Sequence, residues 1–470
     1  MHFLLNDISQ ASRRIGLLMS AAASCLLAAC SHAPIAAEAG VQHAWVQADA
    51  QGGWQARAIT TASRCPVMSW SDGQTMMTTR TEPGIVAARS GKETAEPKPA
   101  VFPVRSCEAA IPAGVRSVRV DGLTLPGEPA AIRRIVLFGD SGCRMKGTEA
   151  FQNCKDEAQW PLSAIARIAA QKQPDLVIHV GDLHYRESPC PAGNDGCAGS
   201  PWGYGYDVWE ADLFIPAAPL LASAPWVFVR GNHEACNRAG VGWFRFLGAR
   251  AWSEAVSCND PQGDAEAEAD FTPPYAVALS PDTQLIVFDS AAVSSHAYPS
   301  DSAPFKRYRA LLDQVDRLAA QKPHNIFVNH HPVLGFGGSP EGTAKPGNAG
   351  LQSVMEVTHP TRLFPPNVDL VLNGHVHLFQ ALSFSSGQPA EIVVGNGGSA
   401  MEGQVEEANA MVSHPAPGAN VRTFTTQPGF GFATLDRHDE GWQLTEWSVG
   451  GAAIESCAIV GSTMNCTPVR

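Results

Sequence analysis

The sequence predicts a mixed α/β (α+β) protein in which two packed mixed β-sheets are flanked by helices, with a small N-terminal β-rich region. Three observations lead there. Five apolar runs, Ile135-Val136-Leu137-Phe138, Leu176-Val177-Ile178-His179-Val180, Trp226-Val227-Phe228-Val229, Ile326-Phe327-Val328 and Val368-Asp369-Leu370-Val371-Leu372, read as strands buried on both faces. Between residue 133 and residue 321 the strands alternate with helical segments, the pattern of parallel strands joined by crossovers. After residue 378 strand-like segments follow one another directly, which calls for a second sheet packed on the first.

In chain order, residues 1–30 have the layout of an export signal: Arg13-Arg14, an apolar stretch to Ala29, and Leu27-Ala28-Ala29-Cys30. The small residues before Cys30 resemble the bacterial lipoprotein box, which implies a lipid on Cys30 and a periplasmic or cell-surface protein anchored to the membrane; a plain signal peptide cut near Ala29 is the alternative. Residues 31–130 read as a tether and then a small disulfide-tied β-rich region, with strand-like alternation over 115–125 and a polar, Pro-bearing loop over 88–100. Residues 131–450 hold the main domain, and 451–470 a tail bearing Cys457 and Cys466. Within the main domain, helices are predicted at 158–171, 208–222, 243–247 and 302–321, the last with Leu311, Leu312, Val315, Leu318 and Ala319 at helical spacing. Further strands are predicted at 275–279, 283–289, 378–384, 391–394, 431–435 and 442–449. Two long loops, 187–206 and 335–350, sit directly after candidate ligands and are expected to wall a cleft.

Of 470 residues, 44% are hydrophobic and 17% charged, a composition that supports a large folded core. The net charge of −12 and the absence of a long Lys/Arg run argue against tracking a nucleic-acid backbone. Ten of the twelve cysteines lie after Cys30, an even number that reads as disulfides in an exported chain. Pairing nearest neighbours gives Cys65–Cys107, Cys143–Cys154, Cys190–Cys197, Cys236–Cys258 and Cys457–Cys466 as the simplest connectivity.

Each apolar run ends in polar groups: Gly139-Asp140-Ser141-Gly142, Gly181-Asp182-Leu183-His184-Tyr185, Gly231-Asn232-His233-Glu234, Asn329-His330-His331-Pro332 and Gly374-His375-Val376-His377. In open α/β sheets the carboxyl edge of the strands is where ligands bind. Two aspartates, a tyrosine, an asparagine and three histidines delivered to that edge form a donor set for two metal ions, a pair suited to phosphate ester hydrolysis.

These motifs resemble the calcineurin-like metallophosphoesterases and, within them, the purple acid phosphatases. The superfamily's first motif carries Asp-x-His, and here Gly142 stands at the His place; Tyr185, three residues beyond Asp182, supplies the compensating ligand of the purple branch. The resemblance covers roughly residues 133–448, including Gly395-Asn396-Gly397-Gly398 after a strand. It implies the αββα sandwich of that superfamily, with Asp140, Asp182, Tyr185 and His377 around a first metal, Fe3+, because a phenolate is a hard anionic donor. Asp182 would bridge to a second metal, Fe2+, Zn2+ or Mn2+, completed by Asn232, His330 and His375. His233 matches the histidine placed beside the leaving-group oxygen, making Asp182, Asn232 and His233 the catalytic set.

The implied activity is hydrolysis of a small-molecule phosphate ester, of the acid phosphatase type, by a hydroxide held on the dinuclear centre. A ferric ion depresses the pKa of bound water, so activity at acid pH is expected. His331, His184 and Arg186 are candidate substrate contacts; His331 has a supporting hydrogen bond as its alternative, and His184 and Arg186 have side chains pointing away as theirs. His179, inside a strand, reads as a core residue. Two other functions stay open: a phosphodiesterase or nucleotide hydrolase of the same superfamily, and a surface lipoprotein whose metals are structural.

Overall fold

The computed structural model describes residues 40–89, 96–147, 149, 151–259, 268–439 and 441–469. The export and lipid-attachment expectation for residues 1–30 lies outside them.

Two large sheets carry the fold. The first, in spatial order, runs Thr463–Pro468, Ala453–Val460, Gly441–Ser448, Gly431–His438, Arg134–Phe138, Leu176–His179, Trp226–Phe228, Val41–Ala48, Trp54–Thr60, Arg105–Ala110 and Thr78–Thr81. Its centre is parallel, Arg134–Phe138 beside Leu176–His179 beside Trp226–Phe228 beside Val41–Ala48, and antiparallel strands extend it on both sides. The second runs Tyr275–Ala278, Thr283–Val287, His324–Val328, Val368–Asn373, Ala390–Val394, Phe379–Phe384 and Val421–Gln427. It too is parallel inside, from Thr283–Val287 to Ala390–Val394, and antiparallel at both edges.

The period-2 alternation of strand side chains assembles three apolar layers from these runs. Ile135, Leu137 and Ile178 from the first sheet meet Leu285, Ile326, Val328, Leu370 and Ile392 from the second between the sheets. The alternate residues Val136, Phe138 and Val177 turn outward to Leu162, Ile165 and Ala169 of helix Leu162–Gln171. On the far side Ile286, Phe327, Val371 and Val393 pack on helix Ala303–Ala319 through Tyr308, Leu311, Leu312 and Val315. That helix starts where the Ser302 side chain accepts a hydrogen bond from the Phe305 amide, with Pro304 in the first turn. The result is the expected sandwich of two mixed sheets between helices.

Several details differ from the sequence reading. The helix expected over 208–222 is divided into helix Tyr206–Trp209, a π-helix Glu210–Phe214 and helix Ala218–Leu221. Pro216 has no N–H to continue the ladder, which ends it there. Past the loop at 335–350, helix Ala349–Thr358 begins with Asn348 accepting from the Leu351 amide. The N-terminal β-rich region is present, but four of its strands continue the first sheet, with Gln47 in register with Trp226. The strands Val67–Trp70, Gly73–Met76, Ser117–Val120 and Leu123–Pro126 form a separate four-stranded sheet. The hairpin Ala453–Val460 and Thr463–Pro468 forms the far edge of the first sheet.

All five cysteine pairs form as the nearest-neighbour rule predicts, as suits an oxidising compartment. No described helix is long and apolar enough to cross a membrane.

Glu391 sits fully buried in the strand Ala390–Val394 and accepts hydrogen bonds from the Leu334 and Gly335 amides, tying down the loop after His330-His331. Burial pushes its carboxyl up to about 8, against the pull of those amides. Its folded pKa thus lies above its unfolded one, so its contribution is complete at acid pH and is lost as pH rises through about 8. Urea midpoints of the wild type are expected to fall relative to Glu391→Gln between pH 5 and pH 8; parallel curves would contradict this.

Candidate metal centre

The strand ends place the candidate ligands. Asp140 and Asp182 follow the adjacent parallel strands Arg134–Phe138 and Leu176–His179, Asn232 follows Trp226–Phe228, His330 follows His324–Val328, and His375 and His377 follow Val368–Asn373. Three of these residues occupy the left-handed region: Asp140 at φ 55°, Asp182 at 56° and His375 at 68°. Such backbone costs about 1–2 kcal/mol per non-glycine residue and persists where surrounding bonds fix it. Here the Asp140 amide donates to Gly181 O at 2.9 Å, the His375 amide to Asp140 Oδ2 at 2.8 Å, and the Asp182 amide to Glu234 at 3.0 Å. Glycines clear the space: a Cβ on Gly231 would lie 2.1 Å from Asp182 Oδ1, and one on Gly374 would lie 2.5 Å from Asp140 Oδ2.

The seven expected ligand side chains converge. Tyr185 Oη lies 3.1 Å from Asp140 Oδ1, 3.1 Å from Asp182 Oδ2 and 2.8 Å from His377 Nε2, and His377 Nε2 lies 3.2 Å from Asp140 Oδ1. On the other side of Asp182, His330 Nε2 lies 3.1 Å from its Oδ2 and 3.2 Å from Asn232 Oδ1, which is 3.0 Å from His375 Nδ1. Two donor groups therefore share Asp182. The remaining ring nitrogens of two histidines are engaged, His330 Nδ1 by Val180 O at 2.8 Å and His377 Nδ1 by Ala400 O at 2.7 Å, so Nε2 of each faces the centre.

The charge balance fits cations. Burial would raise the Asp182 carboxyl, but His330 and His233 hold it well below the usual range. Burial would lower His330, yet Asp182 and Asp140 lift it to about 9. Burial, then Asp140 and Asp182, push the Tyr185 phenol far up. Protons thus compensate a fully buried cluster of anionic oxygens, the place metal ions take at such sites. A third cluster, Glu455 with Cys457 and Cys466, has its sulfurs joined in a disulfide.

Around the ligands stands a layer of charged residues that the sequence reading does not identify. Glu234 accepts from the amides of Gly231, Asp182, Leu183 and His184 at 2.8–3.1 Å. Asp212, on the π-helix, accepts from the Cys143 and Tyr185 amides and joins the two aspartate loops. His233 Nδ1 is 2.8 Å from His184 O, and Arg238, paired with Glu187 at 2.6 and 2.9 Å, lies against its ring. Burial and then Arg238 hold His233 well below the usual histidine range. Arg144 lies against the ring of His377.

Among the candidate substrate contacts, His331 packs against His375 at 4.3 Å and has Nδ1 3.1 Å from Ser290 Oγ. His184 and Arg186 are not brought to the ligands. The His184 ring packs on Tyr204 and Trp209, and Arg186 pairs with Asp212 at 2.6 Å beneath the Trp160 ring. His179 is a core residue with Nε2 2.9 Å from Ser141 Oγ.

The family profile of the calcineurin-like phosphoesterases matches residues 133–379, just over half of the sequence and the segment that holds all seven candidate ligands. The chain belongs to the calcineurin-like phosphoesterase family. Two solved structures share the fold of this calcineurin-like phosphoesterase. One is the purple acid phosphatase PPD1 from seeds of yellow lupin (Lupinus luteus), 15% identical, with a TM-score of 0.54 over 89% of this chain and 74% of that one. The other is PhoD, 11% identical, with a TM-score of 0.50 over 91% of this chain and 92% of that one. No curated protein sequence matches the chain. As a member of this family the protein is a metal-dependent hydrolase of phosphoester bonds.

Proposed function

We propose that the protein is a phosphomonoesterase of the purple acid phosphatase type. The observation that carries this reading is Tyr185 Oη, turned inward, 3.1 Å from oxygens of both Asp140 and Asp182. Asp140, Asp182, Tyr185 and His377 would hold Fe3+, for which a phenolate beside two carboxylates is a fitting hard donor set. Asp182, Asn232, His330 and His375 would hold the second, divalent ion. Bound there, two cations polarise the phosphoryl group and lower the pKa of the attacking water.

The chain's own residues do the rest. Asp182 fixes the spacing of the two donor groups, and Asn232 and the histidines orient them. His233 is held with Nδ1 toward His184 O and Nε2 3.9 Å from Asp182 Oδ2, on the side facing the centre. A neutral His233 becomes a proton donor to the leaving oxygen only after Nε2 takes a proton. The negative charge of an arriving phosphate beside the ring raises the imidazole pKa and favours that step.

The purified holoprotein is expected to absorb visible light through the Tyr185-to-iron interaction and to hydrolyse phenyl phosphate at least tenfold more efficiently than bis(4-nitrophenyl) phosphate. Tyr185→Phe keeps the ring and removes the oxygen, so the colour should vanish. A colourless wild type carrying zinc alone, or a preference for the diester, would overturn the proposal.

A further inference from the structure

Arg144 follows the first aspartate loop and reaches back over the centre. Its guanidinium lies 5.5 Å from the Tyr185 ring centroid, and its Nη2 is 2.8 Å from Nδ1 and 3.3 Å from Nε2 of His377. Nη2 approaches both ring nitrogens, the nearer being Nδ1, so the guanidinium lies against the ring. His377 Nδ1 is engaged by Ala400 O, and Nε2 points at Tyr185 Oη and Asp140. The other contacts anchor the rest of the group: Nη1 donates to Glu149 at 2.9 Å, Nε donates to Ser399 Oγ at 3.3 Å, and Glu402 is 3.9 Å from Nη2, beyond hydrogen-bond length.

Among the described residues Nη2 has no accepting oxygen within hydrogen-bond distance, and its N–H groups stand beside the candidate ligands His377 and Tyr185. The side chain is 13% exposed, low enough for strong electrostatics and open enough to be reached by a ligand. The loop holding it is fixed: Gln152 Oε1 accepts from the Arg144 amide at 2.9 Å, and Gln152 Nε2 donates to Gly398 O at 2.8 Å.

We infer that Arg144 is a substrate-binding residue that donates from Nη2 to a non-bridging phosphoryl oxygen and favours doubly charged phosphate monoesters over singly charged diesters. The inference rests on the phosphoesterase reading of the same centre. A monoester dianion offers one more anionic oxygen than a diester, and the planar guanidinium is suited to such oxygens.

The test uses the metal-loaded protein and inorganic phosphate. By calorimetry, Arg144→Gln is expected to raise the phosphate Kd by about tenfold or more, the scale of one charge-assisted hydrogen bond, and Arg144→Lys by less. The ratio of kcat/KM for phenyl phosphate to that for the diester should fall in Arg144→Gln, with metal content unchanged. In the wild type, phosphate should protect Arg144 from phenylglyoxal, mapped by mass spectrometry; this arm needs no variant to fold. Phosphate affinity within twofold of wild type in metal-loaded Arg144→Gln, or equal labelling with and without phosphate, would overturn the inference. A wild type that binds phosphate through Arg144 but hydrolyses no ester would instead sink the proposed function and leave the anion contact standing.

Discussion

Asp182→Asn is expected to lower kcat/KM on phenyl phosphate by more than about a thousandfold and to reduce bound metal from two ions to one or none. The replacement is nearly isosteric, so packing is spared. Asp182 Oδ1 accepts from the His233 amide at 2.8 Å, a bond the Asn oxygen can keep. What it loses is the charge on Oδ2, the oxygen that lies 3.1 Å from both Tyr185 Oη and His330 Nε2 and belongs to both donor groups. The metal-free variant should melt within a few degrees of the metal-free wild type. The metal-loaded wild type should be the more stable by the linkage of binding to folding, roughly 2.7 kcal/mol at a hundredfold excess of metal over its Kd. Elemental analysis with scanning calorimetry measures both. Full metal content in the variant with activity within tenfold of wild type would contradict the bridging role.

Glu234→Ala is the second large effect. Its carboxylate is fully buried and accepts from four backbone amides of the Gly231 and Asp182 loops. Alanine leaves those four donors without their acceptor while Asp182 still occupies φ 56°. An unsatisfied buried donor costs about 1–3 kcal/mol, but the loop can relax toward water, so a net loss of about 3–5 kcal/mol is expected. Relaxation would move Asp182 off its ligand position, so metal affinity should fall together with stability. Urea unfolding of the metal-free protein checks the first effect and metal titration the second. A loss below about 1 kcal/mol with wild-type metal affinity would show that the loop holds its shape without Glu234.

The parts legible in the sequence are those whose signal is local. Strands such as Arg134–Phe138 and Val368–Asn373 are buried on both faces, so they read as unbroken apolar runs, and the polar residues that end them stand at the sheet's carboxyl edge by construction. The disulfides follow the same logic, since each joins cysteines that are neighbours along the chain. Other features depend on contacts between distant segments. Arg144 meets His377 across 233 positions and Arg238 meets Glu187 across 51, and no periodicity marks such partners. That Val41–Ala48 would dock beside Trp226–Phe228 is likewise a register choice made in three dimensions. His184 and Arg186 flank a ligand in sequence, yet side chains beside Tyr185 leave the backbone in other directions, one to an aromatic pocket and one to Asp212.

Crystals of the protein as isolated, with data collected on either side of the iron edge, test the central claim most directly. The expected result is two anomalous peaks about 3.5–4 Å apart with Asp182 between them, iron at the one beside Tyr185. A single peak, or peaks that leave Asp182 and Tyr185 uncoordinated, would contradict it.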